Sequence, residues 1–487
     1  MMVVGQVKMD TISETNDNVP KDLHIAPMLD VSKPEFHNLF RILSTRCILW
    51  TEMVVDETIM YSDDLDHHLA ISSPHLHPIV CQIGGRSVKQ CSEATKIVRQ
   101  YKYSEINLNV DCPSSRVSGK RLFGAILMSN DQKETCYDVV TAMKQSSLCT
   151  VEESGEERVD DSSTGVPNIP ISVKTRVGIE TEDGMCLDSL EHIVEFIGRL
   201  RECGCRKFVI HARKCVIGGL TPTQNRLVPP LNYPRVYELC RLFPDCEFVI
   251  NGGIPGLKAA KEIVYGVDEN CSHRHHQVPC KTCNARNGSC TAPPTKNQPL
   301  PNLKGCMIGR ACMENPSMFW DIDRYFYGME KNPCRNRREV LEKYCVYLEK
   351  TYPRRCCDSD ERITRRIPAP NIRLPEGGCE ICSKFYGSCN PEKIENNLEG
   401  KEKISSRVID RSLKPILGIL FGRPKSRLFR RQCDVLSRDK RTRNCGPAYI
   451  IREAMSSLPQ TLIDEDFIKT EDLNDDDVPL HISPGNK

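Results

Sequence analysis

Eight short apolar runs alternate with stretches of helical periodicity over the first two thirds of the chain. Most of these runs are apolar nearly throughout, which is typical of strands in a parallel sheet that is covered on both faces. Eight strand–helix units favour a (β/α)8 barrel, and an open doubly wound sheet is the alternative. The apolar runs cover residues 24–29, 48–54, 78–84, 105–110, 171–178, 207–213, 247–253 and 305–310, and the helical stretches cover residues 34–43, 88–101, 131–144, 187–203, 233–242 and 257–265.

Length and composition bound the size and surroundings of the protein. The 487 residues allow two or three domains, and no apolar run approaches the roughly 20 residues of a membrane helix. The 27 cysteines are an odd number, and many lie singly in apolar runs, so a reducing compartment fits better than a disulfide scaffold. Residues 1–20 lack the order of a secretory signal, and we predict that they are disordered. We expect a cytoplasmic monomer without a membrane anchor, with an organelle as the alternative location.

Polar or glycine residues follow nearly every predicted strand. In a (β/α)8 barrel the active site lies on the loops after the carboxyl ends of the strands. Such residues at nearly all the strand ends therefore predict a functional site at this face. The set comprises Pro27 and Met28, Glu52, Gln82 with Gly84 and Gly85, Asn109 and Cys112, Lys174 and Arg176, His211 and Arg213, Asn251 with Gly252 and Gly253, and Gly309 with Arg310.

The run at 105–110 indicates what kind of site this is. Asn107 and Asn109 share the face opposite to its apolar residues, and buried amides are costly unless polar groups meet them. The pattern predicts a strand that forms the wall of a site, with Cys112 at its rim. The alternative is a half-buried strand in which Cys112 is simply a small apolar residue.

The remaining strand ends suit a phosphorylated ring cofactor. Gly252-Gly253 and Gly309-Arg310 match the barrel phosphate site, where backbone N–H groups approach an anion. Gln82 and Asn109 can hydrogen-bond a heteroaromatic edge. No Rossmann-type glycine motif follows a strand, so the pattern predicts FMN.

Lys174 and His211, on neighbouring predicted strands, complete this prediction. They supply cationic or donor groups that would stabilise the reduced, anionic form of such a ring. For Lys174 the alternative is a structural salt bridge with Glu52.

Several stretches of the chain resemble the tRNA-dihydrouridine synthases, in particular the bacterial branch that acts on positions 20 and 20a of the D-loop. The signatures CPSxRV and HARKxxxxGLxPxxNR are specific to that family. The matching stretches are IAPMLD (25–30), LWTEMV (49–54), INLNVDCPSSRV (106–117), FGAILM (123–128), ISVKTRVGI (171–179), FVIHARK (208–214), GLTPTQNR (219–226), PPLNYPRVYEL (229–239), INGGI (250–254), MIGRACMENP (307–316) and KPILGILFGRPKSRLFRRQ (414–432).

The resemblance implies an oxidoreductase that uses FMN, with NADPH as reductant, to reduce the C5–C6 double bond of uridine in tRNA. It implies that Cys112 delivers a proton to C5 while the flavin passes a hydride to C6, and a thiol that is protonated at neutral pH suits that step. Asn109, Arg213 and Lys214 correspond to positions near the substrate. The implied FMN contacts are Pro27, Met28, Gln82, Lys174, His211, Asn251, Gly252, Gly253, Gly309 and Arg310.

The chain departs from the family pattern beside the cysteine. Asp111 stands where the family usually has glycine, and a carboxylate there would raise the pKa of the thiol. Val216 stands where tryptophan is common. Two alternatives remain open: an FMN barrel that reduces small pyrimidines, and a tRNA-binding protein whose flavin chemistry has lapsed.

The region after the barrel, assigned to residues 21–330, predicts a helical tRNA-binding domain at 331–457. A base in folded tRNA must leave its stack to reach a barrel, so phosphate contacts elsewhere must supply affinity. The basic, helical stretch around Arg427, Arg430 and Arg431 fits that role. We predict that residues 458–487 form an acidic, disordered tail.

Three insertions interrupt these domains, near residues 151–168, 268–303 and 354–403. The second contains Cys280 and Cys283, whose C-x2-C spacing is that of a zinc knuckle, and the third contains a similar pair, Cys379 and Cys382. Zinc binding by these segments is one interpretation, and lineage-specific loops without metal are the other.

Overall fold

Eight parallel strands form the centre of the fold. The computed structural model of the protein describes residues 20–69, 74–114, 117, 123–148, 168–266, 299–352 and 404–472. The strands are β1 (Asp22–Ile25), β2 (Leu49–Val55), β3 (Ile79–Gly84), β4 (Glu105–Val110), β5 (Ile171–Arg176), β6 (Lys207–His211), β7 (Glu247–Asn251) and β8 (Leu303–Ile308).

The ring of strands is closed. Sequential strands are neighbours from β2 to β8, and β8 pairs with β1. A parallel bridge between His24 and Ile48 joins β1 to the start of β2, where the Ile48 N–H donates to Leu23 O at 2.9 Å. The predicted (β/α)8 barrel is confirmed, and the open sheet is excluded.

Helices follow the strands around the barrel, and three of them, Pro34–Leu43, Tyr233–Leu242 and Leu257–Tyr265, have the bounds predicted from periodicity. Several begin at side chains that satisfy free backbone N–H groups; Ser87, for example, accepts from the Gln90 N–H. The other helices of this part are Asp56–Tyr61, Leu65–Leu69, Val88–Gln100, Lys133–Ser146, Leu190–Glu202 and Arg310–Glu314.

The barrel interior is apolar at one level and polar at the next. Trp50 is fully buried in a cluster of apolar residues, and its Nε1 donates to His24 Nδ1 at 3.1 Å. Above it, the Asn107 amide lies 2.9 Å from that of Gln82 and 2.8 Å from Ser172 Oγ. The inward-facing amide of β4 therefore meets polar groups, as the cost of burying it requires.

A second, small sheet lies beyond the carboxyl ends of β5 and β6. It consists of Ile179–Glu180, Cys186–Leu187 and Cys215–Val216, in the order 186–187, 179–180, 215–216. Because it joins the loop after β5 to the loop after β6, it fixes the chain segment that carries Arg213 and Lys214.

The C-terminal helices pack directly on the barrel. The buried carboxylate of Glu35 accepts from Arg411 Nε at 2.7 Å and from the Tyr352 hydroxyl, and Lys414 Nζ donates to Asp30 O at 2.8 Å. Both parts share one hydrophobic core cluster. These helices are Arg337–Thr351, Ser406–Leu413, Ser426–Arg438, Lys440–Asn444 and Pro447–Ser456.

The prediction of a disordered tail from residue 458 is wrong for residues 458–472. Residues 460–472, which we call the C-terminal strap, begin with the helix Gln460–Asp464. Phe467 stacks on Trp320 with 5.1 Å between ring centroids, and Arg324 forms an ion pair with Glu471 at 2.8 Å. The acidic composition gave no sign of these contacts, because they depend on arginines elsewhere in the chain: three of the five acids of the strap, Asp464, Glu465 and Glu471, form ion pairs with Arg338, Arg423 and Arg324. Residues 473–487 lie outside the described residues.

The other predicted irregular segments lie almost entirely outside the described residues, namely 1–20, 151–168, 268–303 and 354–403. The second insertion ends earlier than predicted, because residues 299–303 lead into and begin β8 and Lys21 Nζ donates to Leu300 O at 3.0 Å. Among the described residues, no helix has both the length and the apolar character needed to cross a membrane.

Candidate active site

The barrel mouth, meaning the face at the carboxyl ends of the strands, brings the predicted site residues together. Strand register places Asn109 beside Lys174, and His211 beside both Arg176 and Asn251. The side chains of these residues are buried. Parallel pairing of the strands thus brings together residues that are far apart in the sequence; Asn109 and Asn251, for example, are separated by 142 positions.

Asn109 holds the turn that carries Cys112. Its Oδ1 accepts from the backbone N–H groups of Asp111 at 3.2 Å and Cys112 at 3.0 Å, and its Nδ2 donates to Gln82 Oε1 at 2.9 Å. The amide is therefore fixed on both sides, and the half-buried thiol is presented at a defined place above β4.

Gly124 packs against the backbone of Cys112 and helps to fix the position of the thiol. It has a φ of +74°, and a Cβ there would lie 2.8 Å from Cys112 O and 3.1 Å from Cys112 Cβ. The Ala125 N–H donates to Cys112 O at 3.1 Å. Only glycine fits a backbone that combines this φ with so close an approach, which explains the glycine of the FGAILM stretch.

The surroundings keep the Cys112 thiol protonated. Burial raises its pKa above the ordinary value, and the Asp111 carboxylate raises it further, while a backbone hydrogen bond at Ser114 and the nearby Arg176 and Lys174 act in the opposite direction. A protonated thiol at neutral pH is a proton donor, which is the form that acid catalysis needs.

Asp111 lies at the centre of a group of charged and donor side chains that we call the mouth cluster: Asp111, Lys174, Arg176 and His211. Arg176 Nε is 2.7 Å from Asp111 Oδ1, His211 Nδ1 is 3.1 Å from the same oxygen, and Lys174 forms an ion pair with the other. The side chains of Lys174 and Arg176 are only 5% and 2% exposed. The alternative of a Lys174–Glu52 salt bridge is wrong, because Glu52 pairs with Lys33.

The charge states in the mouth cluster follow from its geometry. Burial alone would raise the pKa of Asp111, but Lys174, Arg176 and His211 outweigh it and hold that pKa well below the ordinary value. Burial and the Arg176 guanidinium lower the pKa of His211 to about 3. His211 is therefore a neutral imidazole that donates its Nδ1 proton to an ionised Asp111.

Further arginines surround the cluster and leave the mouth with an excess of positive charge. Burial, with smaller contributions from the nearby Arg310 and Arg176, lowers the pKa of Arg213 to about 10. The buried Nε of Arg213 has no hydrogen-bond partner among the described residues. Arg310 Nη2 donates to Arg226 O at 3.4 Å, which draws a further guanidinium into the group. Unsatisfied buried donors and excess charge fit an anionic ligand.

Glycines at the ends of β7 and β8 let the backbone approach this site. Gly252 has a φ of +114°, and a Cβ there would lie 2.8 Å from His211 Cδ2. A Cβ at Gly309 would lie 3.4 Å from Ala26 Cβ and 3.7 Å from Met28 Sδ, which are ordinary contact distances, so the half-buried loop after β1 lies beside the end of β8. With the cationic groups beside them, these residues fit a phosphorylated ring cofactor such as FMN.

Comparison with known proteins agrees with this arrangement. The dihydrouridine synthase (Dus) family matches residues 24–269 of the chain. The chain belongs to the dihydrouridine synthase family. Three proteins named tRNA-dihydrouridine(20/20a) synthase are similar to it: that of Vibrio cholerae at 32% identity, over 67% of this chain and 80% of the relative; that of Pasteurella multocida at 34%, over 67% and 79%; and that of Escherichia coli K12 at 33%, over 66% and 77%.

One solved structure adds nothing to the family assignment. Morphinone reductase in complex with tetrahydroNAD aligns with a TM-score of 0.35 at 9% identity, over 65% of this chain and 89% of that chain. A likeness this distant carries no functional argument.

Two residues predicted near the substrate lie in different surroundings in the structure. Arg213 belongs to the cationic mouth, where its Nη1 donates to Pro229 O. Lys214 instead pairs with Glu180 at 2.6 Å and with Asp188 at 3.4 Å, beside the small sheet. Its charge is already compensated, so it is the weaker candidate for a substrate contact.

Sequence reasoning included Arg176 among the strand-end residues without a specific role, and it gave no role to Asn225; the structure shows that both hold the site together. Arg176 Nη1 donates to the carbonyls of Lys214 and Asn225 at 3.1 Å each, so it ties the loops after β6 to β5. The signal for Arg176 was its spacing: it follows Lys174 by two positions on a strand, which places both on the same face. Asn225 is buried within the GLTPTQNR stretch (219–226), where its Nδ2 donates to Val216 O at 2.8 Å.

The helix Ser426–Arg438, which we call the basic helix, presents a positive face to solvent. Phe429 and Cys433 are buried against the domain, which turns the other side outward. Arg427, Arg430 and Arg431 on that side are exposed and form no ion pair with any residue in the part of the chain that the structure describes.

The metal prediction lies outside the described residues, as do both C-x2-C pairs. Within the ranges that are described, no group of three or more histidine, cysteine or acidic residues could hold a metal ion.

Proposed function

We propose that this protein is a tRNA-dihydrouridine synthase, an oxidoreductase that reduces the C5–C6 bond of D-loop uridine at position 20, 20a or both. The observation that carries the proposal is the protonated Cys112 thiol, fixed by Asn109 and Gly124 at the edge of a cationic barrel mouth. The names of the relatives, which share about a third of their residues with this chain, support the same substrate.

The cofactor in this proposal is FMN, reduced by NADPH, and it supplies the hydride when bound. The phosphate would meet the backbone of Gly252, Gly253 and Gly309 together with Arg310, where positive charge is in excess. The ring would lie against the loop after β1 and the side chains at the ends of β3, β5, β6 and β7. Those contacts are Pro27, Met28, Gln82, Lys174, His211 and Asn251.

The chain's own residues would divide the remaining work. Cys112 gives its proton to C5 of the uracil, which must face the thiol in a site that excludes bulk water. Asn109 holds the backbone of the thiol turn, and its amide borders the place of the base. Arg213, whose buried Nε has no hydrogen-bond partner in the part of the chain that the structure describes, is the nearby donor for a base carbonyl or a phosphate of the extruded nucleotide.

The basic helix would supply affinity for the rest of the tRNA. A uridine in the folded D-loop must leave its stack to enter the mouth, and that costs free energy. The exposed arginines of the basic helix compensate by binding phosphates and releasing counterions. A reductase of small pyrimidines has no use for such a surface.

The test is replacement of the thiol in cells that lack the native protein. Cys112→Ala should abolish dihydrouridine at positions 20 and 20a, mapped by mass spectrometry of purified tRNA, while the isolated variant still binds FMN and tRNA. Cys186→Ala, which removes an exposed thiol on the small sheet, is the matched control and should retain the modification. Undiminished dihydrouridine in the Cys112→Ala cells would refute the assigned role.

A further inference from the structure

Asp111 places its carboxylate among three donor side chains that together form an anion site. Its carboxylate receives Lys174, Arg176 and the Nδ1–H of His211, which come from two neighbouring strands. Asp111 itself is on the turn after β4, and only 15% of its side chain is exposed. This residue replaces the glycine that the family usually carries, and a glycine would leave all three donors without this partner.

The same donors face the place that the proposed function gives to the flavin ring. Lys174 and His211 are the two groups of the mouth cluster assigned to FMN, and both are engaged by Asp111 in the structure. Arg176 is fully buried and also holds two backbone carbonyls, so it cannot follow Asp111 away from its place. Asp111 and an electron-rich ring edge therefore draw on one set of donors.

We infer that Asp111 is an internal counter-anion that competes with FMN for Lys174 and His211, so that this chain binds FMN more weakly than it would with glycine at position 111. The inference rests on the proposed function. A buried cation is stabilised most by one close anion. The Asp111 carboxylate is already fixed in the chain, whereas FMN loses translational freedom when it binds, so Asp111 has the advantage in this competition.

The competition has a redox consequence. Two-electron reduction of FMN adds negative charge to the ring, whereas the oxidised ring is neutral. A neighbouring carboxylate disfavours the reduced form more than the oxidised form, because like charges repel in a site of low dielectric. Asp111 should therefore weaken the binding of reduced FMN most, and lower the reduction potential of the bound cofactor.

The experiment compares FMN binding by the purified, cofactor-free full chain and its variants. Asp111→Gly restores the family residue, and Asp111→Asn removes the charge while it keeps the size. Asp188→Asn, at a carboxylate that pairs with Lys214 on the small sheet, is the matched control. The measurements are quenching of FMN fluorescence on titration and the reduction potential of the bound FMN.

Both Asp111 variants should bind FMN about tenfold more tightly than the wild type, since one nearby charge changes such equilibria by about this factor. Their bound FMN should also have a more positive reduction potential, and Asp188→Asn should match the wild type in both. Circular dichroism checks folding, and Asp111→Ser replaces any variant that does not fold.

Two results would overturn the inference and leave the proposed function intact. One is equal FMN affinity and potential in all the proteins, and the other is a gain in Asp111→Gly alone, which would assign the effect to space rather than charge. Absence of FMN binding by the wild type and every variant would instead overturn the proposed function.

Discussion

The barrel mouth and the basic helix are both rich in cations but hold them in opposite ways. In the mouth, Lys174 and Arg176 are buried and share the carboxylate of Asp111. The arginines of the basic helix, Arg427, Arg430 and Arg431, are exposed and have no ion pair with the described residues.

The difference shows what each arrangement can recognise. A buried cation has lost its hydration, so it requires a close partner of fitting geometry and selects for the shape of its anion. An exposed cation keeps its water and is screened by salt, so it attracts any phosphate backbone without selecting a sequence. The first arrangement suits a cofactor or one nucleotide, and the second suits a whole nucleic acid.

The largest effect should come from breaking the buried network. Arg176→Met removes a fully buried partner of Asp111 together with two hydrogen bonds to backbone carbonyls. We expect the free energy of unfolding of the cofactor-free protein to fall by about 3–5 kcal/mol, as when one member of a buried ion pair is lost. Urea denaturation followed by circular dichroism measures the change.

Arg199→Met is the control for that substitution, because Arg199 forms an ion pair with Glu202 in which both side chains are more than half exposed. Its unfolding curve should superimpose on that of the wild type. Equal curves for the Arg176 and Arg199 variants would contradict the distinction between the two kinds of cation.

The basic helix should respond through salt rather than stability. Combined replacement of Arg427, Arg430 and Arg431 by alanine should weaken tRNA binding and lower the slope of log affinity against log salt concentration by up to about three, since each phosphate contact contributes about one. Filter binding of tRNA at several salt concentrations measures both quantities. A triple replacement of Arg199, Arg201 and Arg206, arginines paired on the barrel surface, is the control. An unchanged slope in the basic-helix variant would remove this helix from the interface.

The smallest effect concerns the thiol beside the network. Because burial and Asp111 raise the pKa of Cys112, the thiol should stay protonated to a higher pH than an unperturbed cysteine. The midpoint of its alkylation by iodoacetamide against pH, followed on the Cys112 peptide by mass spectrometry, should therefore be high. Asp111→Asn should move it to lower pH, because one of the two raising effects is gone.

Cys186 serves as an internal reference in that measurement. Its pKa is raised by partial burial and by Asp188, and neither changes in the Asp111→Asn variant. The midpoint for Cys186 should thus stay constant while that for Cys112 falls. If the Cys112 midpoint does not move, then Asp111 does not influence the thiol.

Local patterns predicted the fold well. β4 has the predicted bounds, and the helix Pro34–Leu43 does too, because each combines a clear periodicity with a sharp break such as Pro34 or Pro113. The closure of the barrel by His24 and Ile48 could be expected only from the number of strands, since a single bridge leaves no pattern in the sequence.

The site was predictable as a set of positions but not as a set of partners. Residues such as Lys174 and His211 are found from their place at strand ends, which the barrel makes neighbours. Which anion they meet depends on side-chain directions across three strands, so the sequence suggested Glu52 as an ion-pair partner of Lys174 and gave no sign of Asp111. Arg176 was placed at the mouth without a specific role for the same reason: its partners include carbonyls contributed by loops distant in sequence.

The C-terminal strap gives the molecule a fixed internal length. It runs from the helical domain back to the barrel, where Phe467 stacks on Trp320 and Glu471 pairs with Arg324, so the two parts are joined at both ends of the domain. Under the proposed function, the Cys112 thiol and the basic helix are then held at a fixed distance from each other while both contact the tRNA. The nucleotide that is reduced would be selected by its distance from the bound phosphates. A chain truncated before the strap would lose its selectivity for the position of the uridine before it lost its catalytic activity.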